Sequence, residues 1–255
     1  MQKIMLVTGG SRGIGAATSL LAARRGYAVG VNYTRDAQAA GQVVAAIKAG
    51  GGRAVAIKAD VGVEHEIVEM FRTLDRELGP IDCLVNNAGV VDVRARVSEM
   101  SAARIERMLR INVTGSFICA REAVRRMSTK EGPTLGAGFG RGGTIVNVSS
   151  GAVRHGSPAQ YVDYAAAKGA IDIFTLGLAR EVATEGIRVN AVRPGITETD
   201  IHASMGEPDR ARASAHLIPM RRPGTAQEIA EAILWLASDA STFTTAAVLD
   251  ATGGR

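Results

Sequence analysis

Tyr164 and Lys168 lie four positions apart in the Ala-rich stretch YVDYAAAKGA, Tyr161 to Ala170, whose composition predicts a helix. Four residues is about one helical turn, so the phenol and the ammonium share a face. A free phenol titrates at about 10, and a neighbouring cation favours its phenolate. The pair is therefore suited to passing a proton near neutral pH. Tyr161 has Ala165 at i+4 and lacks such a partner. A second chemical signature is TGGSRGIG, Thr8 to Gly15, at the end of an apolar run and the start of a helical pattern. Gly9, Gly13 and Gly15 are spaced for a tight turn, close backbone approach and helix packing, with Ser11, Arg12 and Ile14 between them. Such a turn brings main-chain N–H groups and the positive end of a helix up to phosphate oxygens.

The end of the second apolar run reads VGVNYTRD. A dinucleotide with a free ribose 2′-hydroxyl calls for an acid at this place. Asn32 or Tyr33 fills the slot instead, followed by Thr34 and Arg35, with Arg12 in the glycine turn. Two guanidinium groups without an opposing carboxylate suit a 2′-phosphate. The cofactor expected is NADP(H) rather than NAD(H). Asp36 reads as the N-cap of the next helix.

The elements that must position these groups alternate regularly. Strands are expected at KIMLVTGG, YAVGVNY, RAVAIKAD, IDCLVNNAG, GGTIVNVSS, IRVNAVRPG and AAVLDATGG. Helices are expected from Gly13, from Ala37 to Ala49, Val63 to Leu78, Ser101 to Met127, Pro158 to Thr184 and Ala226 to Ser238. Apolar strands separated by helices predict an α/β fold, a doubly wound parallel sheet of about seven strands with helices on both faces. This is a Rossmann-type arrangement, expected to be one domain over residues 1–255. Two segments break the rhythm. Lys130 to Gly143 is Gly-rich and reads as a mobile surface loop. Glu198 to Pro223 follows the sixth strand, where loops line ligand crevices, and reads as a substrate lid holding His202, Met205 and His216.

Composition narrows the classes. The chain has 255 residues, a net charge of +5 and basic residues that scatter rather than cluster, which argues against nucleic acid. Cys83 and Cys119 form no CxxC pair and read as reduced core thiols. No apolar stretch approaches the roughly 18 residues of a membrane span. Met1-Gln2-Lys3 leads into an apolar run too short for a signal peptide, so a cytoplasmic protein is expected. His65 reads as helix surface and His155 as a residue at the pocket mouth. No Cys/His/Asp spacing resembles a metal site.

Taken together and in order, three motifs make the chain resemble the short-chain dehydrogenase/reductase family. They are TGGSRGIG at Thr8, NNAG at Asn86 to Gly89, and Tyr164-Ala-Ala-Ala-Lys168. The resemblance runs through Asn112, Ser150 and Pro194-Gly195, and extends to 3-oxoacyl-carrier-protein reductases and sugar dehydrogenases. It implies hydride transfer between a nicotinamide and a carbonyl or secondary alcohol, with Tyr164 as general acid/base and Lys168 lowering its pKa and binding ribose hydroxyls. Ser150 would hold the substrate oxygen. Strand alternation lets only one of Ser149 and Ser150 do so, and the gap to Tyr164 is one longer than the family's usual gap. Asn112, on a core-facing stripe, would hold water in a proton relay to Lys168. Asn87, Ala88 and Gly89 would lie along the ribose, Asp60 and Val61 at the adenine, and Pro194, Gly195, Thr197 and Thr199 at the carboxamide and pyrophosphate. The resemblance also implies a homotetramer, or a dimer, packed through the two long helices. The rival reading is a nucleotide-sensing protein that keeps the fold without turnover.

Overall fold

The computed structural model describes residues 2–130, 140–199, 206–207 and 209–255. Its first strand, β1 (Ile4–Val7), shows why the apolar runs are continuous rather than alternating. Successive side chains point to opposite faces. Ile4 and Leu6 join one buried cluster, with Ile67, Phe71 and Cys119, while Met5 and Val7 join another, with Val29, Ile47 and Ile233. Both faces are covered, so neither can be polar.

The order continues as α1 (Gly13–Arg24), β2 (Ala28–Tyr33), α2 (Ala37–Ala49), β3 (Ala54–Lys58), α3 (Glu64–Glu77) and β4 (Cys83–Asn86). Then come α4 (Ala102–Leu109), α5 (Gly115–Met127), β5 (Gly143–Val148), α6 (Ala152–His155), α7 (Val162–Val182) and β6 (Ile187–Pro194). The chain closes through β7 (Thr197–Glu198), α8 (Arg210–Ala213), β8 (Gly224–Thr225), α9 (Ala226–Ala237) and β9 (Val248–Ala251). Seven parallel strands form the main sheet in the order β3-β2-β1-β4-β5-β6-β9, and β7 pairs with β8 apart from it. Helices α1, α2 and α9 cover one face, and α3, α5 and α7 the other. The sheet is the expected doubly wound parallel α/β fold. The strand order changes direction between β1 and β4, and a crevice opens at the carboxyl ends of such a switch point.

Two expectations are corrected. The helix predicted over Ser101–Met127 is interrupted by one π-helical turn at Arg110–Thr114, which carries Asn112 into the interior. The helix predicted from Pro158 starts at Val162, with Tyr161 as its N-cap. Before it, Ser157 and Ala159 adopt φ of 48° and 55°, a left-handed conformation unfavourable for side chains bearing Cβ. Within the Gly-rich segment, 131–139 lie outside the described residues, as do His202 and Met205 of the expected lid. Among the described residues no helix is long and apolar enough to cross a membrane.

Candidate active site

The glycine turn is fastened to β4. Thr8 Oγ1 accepts from the N–H groups of Asn87 and Ala88, each at 3.0 Å, and Asn87 Nδ2 donates to the carbonyls of Thr8 and Gly9. Gly9 has φ +60°, and a Cβ on Gly15 would lie 2.1 Å from the Gly9 carbonyl. Only glycine allows α1 to start this close to the turn. No side chain caps the α1 N-terminus, and no acid occupies its first turn. That leaves a positive helix end facing the crevice, which fits an anionic pyrophosphate. Thr199 sits across from it, its Cβ 3.4 Å from where a Gly13 Cβ would be. Ser11 is half-buried in the turn, and Ile14 packs on the core cluster.

Asn32 is corrected. Its side chain is buried, accepts from Gly9 N–H at 3.0 Å and donates to the carbonyls of Ala59 and Ile57. It braces the turn and does not face an adenosine. Tyr33 packs on the core, and Thr34 Oγ1 donates to the Ala59 carbonyl, 3.3 Å away. Arg35 and Arg12 are exposed, and neither side chain has a partner among the described residues. Asp36 is the α2 N-cap, accepting from Ala39 N–H at 2.8 Å. Asp60 accepts from Gly62 N–H, and Val61 is buried beside it. On the other side of the crevice Pro194 ends β6, Gly195 N–H bonds to Ala251, and Thr197 Oγ1 donates to the Gly195 carbonyl.

The four chemical residues converge. Lys168, 4 % exposed, donates from Nζ to the Val148 carbonyl at 2.7 Å. A Cβ on Gly89 would lie 2.6 Å from Asn112 Oδ1 and 3.5 Å from Lys168 Nζ, so these groups meet at the end of β4. Ser150 Oγ accepts from Ala152 N–H at 3.1 Å, and its hydroxyl lies near enough to the Tyr164 phenol to act on its proton affinity. Ser149 turns the other way, donating to the Lys168 carbonyl. Alternation thus leaves Ser150 as the serine beside the phenol.

The electrostatics differ from expectation. Burial pushes the Tyr164 phenol above its ordinary value, opposed by the Ser150 hydrogen bond. Lys168 Nζ is 5.8 Å from the ring centroid and does not bring the phenol below that value. Burial pulls Lys168 down to about 8, with Asp172 opposing. Asn112 is tied into the backbone. Its Nδ2 donates to the carbonyls of Val90 and Met108 and contacts Met108 Sδ, and its Oδ1 accepts from Val90 N–H. Its amide donors are committed to structure, and its Oδ1 keeps acceptor capacity beyond the Val90 N–H.

Tyr161 is not partnerless. Its hydroxyl donates to Glu207 at 3.1 Å, and Arg210 lies 5.1 Å over its ring. Arg94 pairs with the same Glu207. His155 is exposed, and its imidazole is lowered by burial and by Arg255 and Arg210. His216 and His65 are exposed on the surface. Burial raises both thiols, Cys83 to about 12. Sequence reading missed two supports. Arg104 on α4 donates to Asp163 at 2.8 Å, and Asp163 accepts the Tyr164 N–H. An acid in a helix's first turn was the available signal. Beneath the site Asn86, Asn147 and Thr175 form a buried chain of hydrogen bonds.

A family model described as enoyl-(acyl carrier protein) reductase matches residues 9–255. The chain is 51 % identical to the uncharacterized oxidoreductase YgfF of Escherichia coli (strain K12), over 99 % of both proteins. It is 37 % identical to a 3-oxoacyl-[acyl-carrier-protein] reductase of Synechocystis, covering 99 % of this chain and 96 % of that protein. A short-chain dehydrogenase from Burkholderia cenocepacia, solved in complex with NADP, superposes with a TM-score of 0.88 at 31 % identity, over 99 % of this chain and 97 % of that one. With its seven-stranded doubly wound sheet and glycine turn, the chain belongs to the short-chain dehydrogenase/reductase family of oxidoreductases.

Proposed function

We propose that the chain is an NADP(H)-dependent oxidoreductase acting on a small carbonyl compound or secondary alcohol, with Tyr164 as the proton donor and acceptor. When bound, the nicotinamide supplies or takes up the hydride. Tyr164 gives its proton to the substrate oxygen in reduction and receives it in oxidation. Ser150 holds that oxygen beside the phenol. Lys168 places a positive charge next to the forming phenolate. Asn112 positions the segment after β4 through Val90. The observation that carries this reading is buried Lys168, bonded to the Val148 carbonyl at the end of β5 and 5.8 Å from the Tyr164 ring, with Ser150 two residues beyond Val148. Burial keeps the proton on the phenol at neutral pH, which is the state a donor needs.

The cofactor would be held by Gly9, Ser11, Arg12, Gly13, Ile14 and Gly15 at the pyrophosphate, and by Thr34 and Arg35 at the adenosine end. Asp60 and Val61 would lie at the adenine, Asn87 to Gly89 and Lys168 at the nicotinamide ribose, and Pro194, Gly195, Thr197 and Thr199 at the carboxamide side. The choice of NADP(H) is supported by the two unpaired guanidinium groups and by Asp36 being spent as a cap. We also propose one domain, a lid over 198–223 and self-association through α5 and α7. Phe117 and Phe174 stack at 3.7 Å there, and Ile173 is 70 % exposed. A screen of NADPH consumption over ketones, aldehydes, quinones, sugars and acyl thioesters tests the reading. Turnover that survives Tyr164→Phe, or no turnover across the panel, would overturn it.

A further inference from the structure

One turn beyond Lys168 on α7 stands Asp172, on the same stripe as Tyr164 and Lys168. It is 7 % exposed. Its Oδ2 accepts from Arg193 Nε at 2.9 Å and Nη2 at 2.8 Å. Its Oδ1 is buried and finds no donor among the described residues. A buried carboxylate with an unanswered oxygen costs stability. Anchoring α7 to the sheet does not require it, since Ile171, Ala179 and Val182 are buried on the same helix. Arg193 does not depend on it alone either, because Asp250 lies 3.5 Å from Nη1.

The surroundings of Lys168 show what the carboxylate faces. β5, against which the ammonium rests, contains no ionisable residue, nor does the segment Asn87–Val90. The π-helical turn offers the neutral Asn112. α7 itself offers Tyr164 and Asp172, and β6 offers Arg193, which is ion-paired to Asp172 Oδ2. Asp172 is thus the one anion acting on the Lys168 ammonium among the described residues.

We propose that Asp172 is a positioning residue that keeps Lys168 charged inside the protein, with Arg193 holding the carboxylate in place. The consequence for the reaction rests on the role given to Lys168 above. Burial alone would discharge this lysine, and with it the positive charge that faces the phenol.

The chain has five lysines, Lys3, Lys48, Lys58, Lys130 and Lys168, so they can be followed together by NMR with lysine isotope-labelled at Cε. The Lys168 signal is assigned by its loss in Lys168→Arg. Without Asp172 the Lys168 midpoint should fall by about one pH unit or more in Asp172→Asn, the scale of losing a close opposite charge. Asp172→Glu should restore it, and Arg193→Gln, which frees the carboxylate from the partner that holds it in place, should lower it. An unchanged midpoint in folded Asp172→Asn overturns the proposal. Should that variant not fold, an unchanged midpoint in Arg193→Gln does so. The titration uses no substrate and no turnover, so its failure is separate from failure of the Tyr164 reading. In kinetics, Asp172→Asn should also lose kcat/KM at lower pH on the alkaline side.

Discussion

Lys168 Nζ donates to the carbonyl of Val148, the last residue of β5, at 2.7 Å. This bond ties the ammonium of α7 to the strand that leads into Ser150. The lysine, the serine and the phenol of Tyr164 are thereby held by two elements that a parallel sheet packs rigidly together.

Tyr164→Phe removes one hydroxyl and keeps the ring. General acid–base catalysis contributes about 10²–10⁴-fold, so kcat should fall by that order. The Kd for NADPH, measured by fluorescence titration, should stay within about twofold, because phosphate and ribose contacts elsewhere carry the binding.

Lys168→Met tests the cost of the buried ammonium. The lysine titrates at about 8 in the fold against 10.5 as a free side chain. A folded pKa below the unfolded one means that the unfolded chain binds the proton more tightly. The ammonium therefore costs stability at neutral pH, and the cost disappears as pH rises from about 8 to 10.5. The gap corresponds to about 3 kcal/mol. Urea melts of both proteins across this window should show wild type gaining on Lys168→Met by that order. A constant difference would contradict the burial of the charge.

Arg35→Ala should weaken NADPH and leave NADH unchanged. A charge-assisted hydrogen bond to a 2′-phosphate contributes roughly 1.5–3 kcal/mol, or about ten- to a hundredfold in Kd. Equal losses for both nucleotides would show that Arg35 does not read the phosphate.

Asp163→Ala leaves Arg104, itself mostly buried, without its carboxylate. Breaking a buried pair from one side costs about 3–5 kcal/mol. The melting temperature should drop, and kcat should drop with it, because Asp163 also holds the Tyr164 N–H. Arg104→Met, which removes the charge and keeps the stem, should be milder in the melt.

Much of the fold was legible because its signals are local. The apolar runs of β1 to β6 and the cap at Asp36 lie within a few residues of what they specify. The π-helical turn at Asn112 was not legible. There an amide donates to Val90, in the segment beyond β4, as well as to Met108 on its own helix. The start of α7 was misread for a similar reason. Tyr161 is held by Glu207 and Arg210, far along the chain, and not by helix propensity.

From the amino-acid order alone came the alternation of strands and helices, the anion-facing glycine turn and the shared face of Tyr164 and Lys168. Each depends on spacing along one chain segment, which helical and strand geometry convert directly into direction. Only tertiary structure decided that Asn32 faces inward, that Asn112 spends its amide on the backbone, and that burial outweighs Ser150 in setting the phenol's proton affinity. Those outcomes depend on which groups from other segments exclude water or supply hydrogen-bond partners, and no spacing within a segment records that.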